Sequence, residues 1–219
     1  MVILQKFNAL NIRYPKLGLI LYISSIQYFL VQLLVGYRFS PFYSLSNNTI
    51  SDLGNTRCGI YNNKIVCSPL HSYMNISFIF LGITMIMGSI LIYNQYSKSR
   101  IAFLGYSLFA LGGLGVILVG LFPENSIPAI HSISAALPFL IGNLGIILIG
   151  LTNKSSKMIS FYSIITGVIA LLALIVYVSG HYLGLGQGGL ERLVSYPQTI
   201  WMIFIGIYYL ICGKNNTNY

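Results

Sequence analysis

The sequence predicts an all-α fold: a polytopic integral membrane protein whose six transmembrane helices form one domain over residues 1–219. Two observations carry that prediction. First, 56% of the residues are hydrophobic and only 7% charged, with a mean hydropathy of +0.78. An ordinary soluble domain is about one quarter charged, so these few charges could not cover a soluble surface. Second, the apolar residues fall into six separate runs, each close to the ~20 residues that a bilayer core requires. The same composition excludes a soluble globular domain, a disordered chain and a small disulfide scaffold.

The six runs are 17–37, 73–94, 101–122, 132–152, 158–179 and 198–213, and none contains Asp, Glu, Lys or Arg. The last is the shortest, and Tyr196 and Pro197 mark its entry. Charged residues, Pro and Gly punctuate the breaks, as helix ends require. This leaves outer loops at about 38–72, 123–131 and 180–197. Basic residues near helix ends set orientation. With the N-terminus inside, Lys6, Arg13, Lys16, Lys98, Arg100, Lys154, Lys157 and Lys214 lie inside, against Arg38, Arg57, Lys64 and Arg192 outside. The expectation is N-in, C-in, in the cell membrane, with an uncleaved first helix. The net charge of +9 does not point to nucleic acid, because the cations stand singly at helix ends and form no basic stripe.

Cys58 and Cys67 fall in the first outer loop, and two thiols close together there suggest a disulfide. A metal pair is the rival reading, and no CxxC or His spacing around them supports it. Cys212 reads as a small packing residue. Asn47, in a sequon completed by Thr49, could carry a glycan. Asn75, Asn153 and Asn215 also match the sequon, but they fall in a span or on the inner side.

The three acids (Asp52, Glu124, Glu191) and the three histidines (His71, His131, His181) all fall at the outer face in this topology. Each outer loop supplies one of each, so the three loops can converge on one cavity. Neutral imidazoles with carboxylates could hold zinc or another divalent metal, with His71, His131 and His181 as ligands. A bound water would then be the nucleophile, and Asp52, Glu124 or Glu191 the general base or a further ligand. Without a metal, His–carboxylate pairs could pass protons. The structural alternative is helix capping and pairing with Arg38, Arg57 and Arg192.

Residues 71–82 and 131–142 share the frame His-Ser-x9-Gly, each just after a proline (Pro69, Pro128), as a duplicated hairpin would. In that frame Ser72 and Ser132 start helices and could help bind an anion, while Asn75 lies one turn below His71. The glycine-rich stretch 184–189 precedes Glu191 and Arg192; it reads as a lid, with Arg192 on an anion, or as a plain connector. Ser51 and Tyr196 complete the candidate ligand-binding set.

Inside the membrane the pattern is packing. Gly105, Gly112, Gly113, Gly115 and Gly120 in the third run, and Gly142, Gly145 and Gly150 in the fourth, allow close helix approach. Pro138 should kink the fourth helix or free a carbonyl. Asn143 suits an interhelical hydrogen bond. The tyrosines and Trp201 read as an aromatic belt near helix ends.

Three stretches resemble a known family. Residues 46–54 (SNNTISDLG), residues 120–124 (GLFPE) followed by His131, and Glu191-Arg192 ahead of Tyr196-Pro197 are similar to the archaeal and bacterial membrane proteins called domain of unknown function 998. The resemblance covers nearly the whole chain; it implies six helices and no particular reaction. The Ile-, Tyr-, Asn- and Ser-rich composition suits an archaeal source. The His, Asp and Ser at one face also resemble, in chemistry alone, zinc hydrolases of the ceramidase and adiponectin-receptor type, whose paired His-x3-His this chain lacks.

The leading functional expectation is an outward-facing site acting on a lipid headgroup by metal-assisted hydrolysis or transfer. The alternatives are a non-catalytic accessory subunit that docks membrane-protein partners through its glycine-rich helices, and a small transporter. The lack of broken-helix pairs argues against a transporter.

Overall fold

The computed structural model describes residues 15–96 and 99–212. Lys6, Arg13, Lys98 and Lys214, used above for orientation, lie outside the described residues, as do Asn215 and the end of the sixth run.

Six helices are long and apolar enough to cross a membrane: Lys16–Tyr37, His71–Tyr93, Arg100–Leu121, Pro128–Thr152, Lys157–Ser179 and Gly186–Cys212. The chain is therefore a multi-pass membrane protein, and the bilayer is its surroundings. Each span packs against its neighbours in sequence, and the first also packs against the sixth, so the six close into a ring. Residues 38–70, 122–127 and 180–185 gather at one end of that ring, here called the loop end.

Small residues set how closely the spans approach. A Cβ on Gly82 would lie 2.3 Å from the Gly113 carbonyl oxygen, so spans two and three meet backbone to backbone. All eight glycines singled out in spans three and four are buried. Within the ring, Tyr22, Phe109 and Trp201 form a triad with ring centroids 5.2–6.1 Å apart. Trp201 donates to Ser163 Oγ at 2.8 Å, and Tyr22 shares a 2.9 Å bond with Ser89. Trp201 and Tyr22 are thus core residues and not belt residues: each polar tip finds a partner inside the protein, which removes the reason for an interfacial position.

Two spans are irregular. The first breaks at Ser25, where Ser25 N–H bonds Tyr22 O and Tyr28 N–H bonds Ser25 O in tighter, i to i−3 fashion. The fourth widens into a π-helical segment over Leu137–Gly142, around Pro138. The Pro138 carbonyl accepts from Gln198 Nε2 at 2.7 Å, and Asn143 Nδ2 donates to Phe139 O at 2.8 Å. Side chains thereby satisfy backbone groups that the irregular turn frees, as hydrocarbon surroundings demand.

The sixth helix starts at Gly186, twelve residues before the apolar run at 198. The third loop is accordingly 180–185, not 180–197. Glu191, Arg192 and Pro197 disguise this helix in the sequence, and it tolerates both charges because each is buried against the first loop. Cys212 is exposed at the far end of this helix and not packed.

The first loop is a small structured cap. The strands Gly59–Tyr61 and Lys64–Val66 pair antiparallel, turning through Asn62 and Asn63, which both have positive φ. Asn tolerates that conformation in two-residue hairpin turns. Cys58 and Cys67 form the disulfide that closes the hairpin. Replacing both by serine is expected to cost about 2–3 kcal/mol and to speed hydrogen exchange over 59–66 while the spans stay intact. Unchanged exchange there would show that the strand hydrogen bonds suffice without the link.

Candidate functional site

The site is built where the first loop lands on the sixth helix. Arg192 Nη1 donates to the carbonyls of Leu45 (2.8 Å), Asn48 (2.9 Å) and Gly188 (2.7 Å), and Nη2 donates to the Tyr43 hydroxyl. Tyr43 Oη in turn donates to Thr49 O at 2.8 Å. Burial holds the Tyr43 hydroxyl above its ordinary range, although the Arg192 guanidinium pulls the other way. Gly188 N–H bonds Ser46 O at 2.8 Å, and a Cβ on Gly188 would lie 2.0 Å from Asn48 O. Only glycine lets the loop sit this low on the helix.

A short 3₁₀ turn, Ser51–Gly54, follows that contact. Thr49 and Asp52 cap it reciprocally: Asp52 N–H donates to Thr49 Oγ1 (3.1 Å), and Thr49 N–H donates to Asp52 Oδ2 (3.1 Å). This is the capping-box arrangement, made here with Asp. Asn48 Nδ2 adds a second bond to Asp52 Oδ2 at 2.8 Å. Asn75 Nδ2 ties down the other end of the turn at Gly54 O, 3.0 Å away.

The turn presents Ser51 to His131. Ser51 Oγ lies 3.0 Å from His131 Nε2, and His131 Nδ1 lies 2.9 Å from the Phe122 carbonyl. A carbonyl only accepts, so Nδ1 carries the proton, and a neutral ring offers its Nε2 lone pair to the Ser51 hydroxyl. Glu191 braces the same turn: its Oε2 accepts from Ile50 N–H at 2.5 Å, and its Oε1 is 3.3 Å from Ser51 Oγ. Beneath Ser51 and Glu191 lies a cavity of about 50 Å³, walled by Phe78, Met85, Val116 and Phe139, with Gln198 and Thr199 among its polar edges. Glu191 and Gln198 are seven residues apart on one helix, so the cavity runs about 10 Å into the bundle.

All three stretches that carried the family resemblance therefore meet here: Ser51 from the first, the Phe122 carbonyl and His131 from the second, Glu191 and Arg192 from the third. The sequence matches the family described as "Protein of unknown function (DUF998)" over residues 22–208. The chain belongs to this family. No curated protein and no solved structure matches it.

Other candidate residues of this DUF998 chain take varied places. Glu124 is buried beside Asp52 and Asn55. Burial pushes its carboxyl up to about 9, and the hydrogen bond to Asp52 and the Asp52 and Glu191 charges push the same way. Tyr61 Oη holds the Glu124 backbone carbonyl at 2.8 Å, and Thr56 and Asn125 exchange two 3.2 Å bonds, so the hairpin is stitched to the second loop. Tyr196 Oη donates to Gln32 Oε1 at 2.8 Å. His71 is half-buried, and its ring bonds the adjacent Ser72 at 3.4 Å. His181 is exposed, with Nδ1 3.1 Å from Ser179 O. Ser72 and Ser132 are exposed. Asn47 is exposed too, and its carbonyl accepts from Lys64 Nζ at 2.5 Å.

Among the described residues, no group of three or more His, Cys, Asp and Glu side chains is placed to hold a metal ion. Arg192 has both terminal nitrogens bonded within the protein instead of offered to an anion. Residues that sequence reasoning passed over are Tyr43, Asn55 and the cavity residues Gln198 and Thr199. The last two open the sixth apolar run, where their polarity was the available signal.

Proposed function

We propose that this protein is a membrane-embedded serine hydrolase or acyltransferase. It acts on a carboxylic ester of an amphiphile whose apolar tail enters the cavity below Ser51. The observation that carries this reading is the Ser51–His131–Phe122 carbonyl chain, an alignment of nucleophile, base and orienting group. Ser51 Oγ attacks the ester carbonyl carbon as its proton passes to His131 Nε2. The bond to the alkoxy group breaks, and His131 returns the proton to the departing alkoxide. Water or a second alcohol then attacks the acyl-serine; His131 takes that proton and gives it back to Ser51. Asp52, through the cap, and Glu191, through Ile50 N–H, are positioning residues for the turn.

The metal-assisted form of the reading has less support, because both His131 ring nitrogens are engaged within the protein and His71 and His181 bond elsewhere. The accessory-subunit reading loses its motive, since the glycines that suggested docking faces are buried inside this chain.

Treating the protein in nanodiscs with a long-chain fluorophosphonate tests the proposal. The expected result is one phosphonyl adduct on Ser51, formed with loss of fluoride and absent from Ser51→Ala, while the melting temperature of the variant stays near that of the parent. No adduct, or an equal adduct in Ser51→Ala, would overturn the reading.

A further inference from the structure

We propose that the ligand of the cavity is a lipid of the surrounding bilayer, and that its acyl chain enters sideways through a slot between spans four and six. The proposal rests on the reading of the cavity as a tail site, and it adds the source of the tail and its route. The cavity walls are unequal. Every lining residue contributed by spans one to three is buried. The lining residues that are only partly buried are Ser51, Ala135 and Phe139 of span four, and Ser195 of span six. The cavity is therefore least covered along one edge, which leads up to Ser51.

Close contacts shut the other seams at this level. Gln27 Nε2 of span one donates to Ser77 O of span two at 3.2 Å. A Cβ on Gly120 of span three would lie 2.5 Å from Asn75 O of span two, and one on Gly115 would lie 2.4 Å from Ser134 O of span four. Between spans six and one, the Tyr196 and Phe29 rings sit 4.9 Å apart, and Tyr196 bonds Gln32. Span five, which lies between four and six, seals only the deep half. A Cβ on Gly167 would lie 2.8 Å from Asn143 O, and the last buried residue of span five is Ala173; none of residues 174–179 is buried. The bond from Gln198 Nε2 to Pro138 O marks the deep edge of the slot.

The depth suits a lipid chain. Span four has 25 residues, about 37 Å of helix against a hydrocarbon core of ~30 Å. Ala135 lies seven residues from its loop-end start at Pro128, about 10 Å along the axis, and so at acyl-chain level. A chain passing here moves from one apolar medium to another and never crosses water. At the edge of the slot Ser195 Oγ is buried without a hydrogen-bond partner, and an ester oxygen of the lipid would supply one.

The test uses the full chain in nanodiscs that contain a phosphatidylcholine with a diazirine in one acyl chain. Met85 and Val116 are the reporters, because both line the cavity and are buried. Irradiation is expected to place adducts on both. Ala135→Phe and Ser195→Leu, which fill the slot, should lose those adducts, while Ser51→Ala should keep them. Ser195 Oγ makes no hydrogen bond to forfeit, so Ser195→Leu carries the test if Ala135→Phe fails to fold. A second arm adds a water-soluble, short-chain diazirine ester. Adducts on Met85 and Val116 from that ester alone would mean loading from the water at the loop end and would overturn the slot. No adducts from the bilayer probe, or plugged variants that keep them, would also overturn it. The readout is occupancy and not turnover: adducts on Met85 and Val116 beside an unreactive Ser51 would uphold the slot while the hydrolase reading fell.

Discussion

Arg192→Met is expected to unseat residues 43–50 and to cost about 3–5 kcal/mol of stability. The side chain is buried and donates to the loop carbonyls of Leu45 and Asn48 as well as to the helical carbonyl of Gly188. A methionine fills similar space, so the loss is one of hydrogen bonds to buried acceptors and not of volume. A loop carbonyl, Leu45 or Asn48, left without a donor costs about 1–3 kcal/mol. Tyr43 also loses the cation 5.3 Å from its ring. Arg192→Lys should recover only part of the loss, because an ammonium cannot reproduce the planar fork that serves the carbonyls from one nitrogen and Tyr43 from the other. The measurement is hydrogen exchange across 43–54 together with denaturation in detergent. Exchange as slow as in the parent would show that Gly188 N–H and the Thr49–Asp52 cap hold the loop unaided.

That dependence explains what could be read from the sequence and what could not. The six spans and the Cys58–Cys67 pair were legible, because hydropathy and loop placement record them directly. The start of the sixth helix was not. Glu191 and Arg192 read as loop residues, since a charged pair is costly in a lipid-facing helix, and only the docked loop makes their burial tolerable. Trp201 sits in a span whether it belongs to the belt or the core, and its partner Ser163 lies 38 residues away. The His-Ser-x9-Gly frame placed His71 and His131 alike, each early in its helix. The tertiary structure then separates them: the Ser51 turn settles over His131, while His71 keeps only Ser72. Helical spacing fixes where a side chain starts, and a loop docked from eighty residues away decides what it meets.

Their difference sets the sharpest kinetic expectation. His131→Gln should slow phosphonylation of Ser51 by about 10²–10⁴-fold, the usual contribution of a positioned general base, whereas His71→Ala and His181→Ala should leave it within about twofold. Gln keeps polarity and approximate size at a buried position, so the loss reports the missing base. The fluorophosphonate needs no proton returned to its fluoride, so its rate isolates the nucleophile's activation from leaving-group protonation. Glu191 Oε1, at 3.3 Å, is the other acceptor within reach of Ser51. Were Glu191 the base, His131→Gln would react nearly as fast as the parent and Glu191→Gln would carry the loss. The two single variants, compared at one probe concentration, therefore separate the two assignments. A rate lowered by His131→Gln and little changed by Glu191→Gln gives the imidazole the proton and leaves Glu191 its hold on Ile50 N–H.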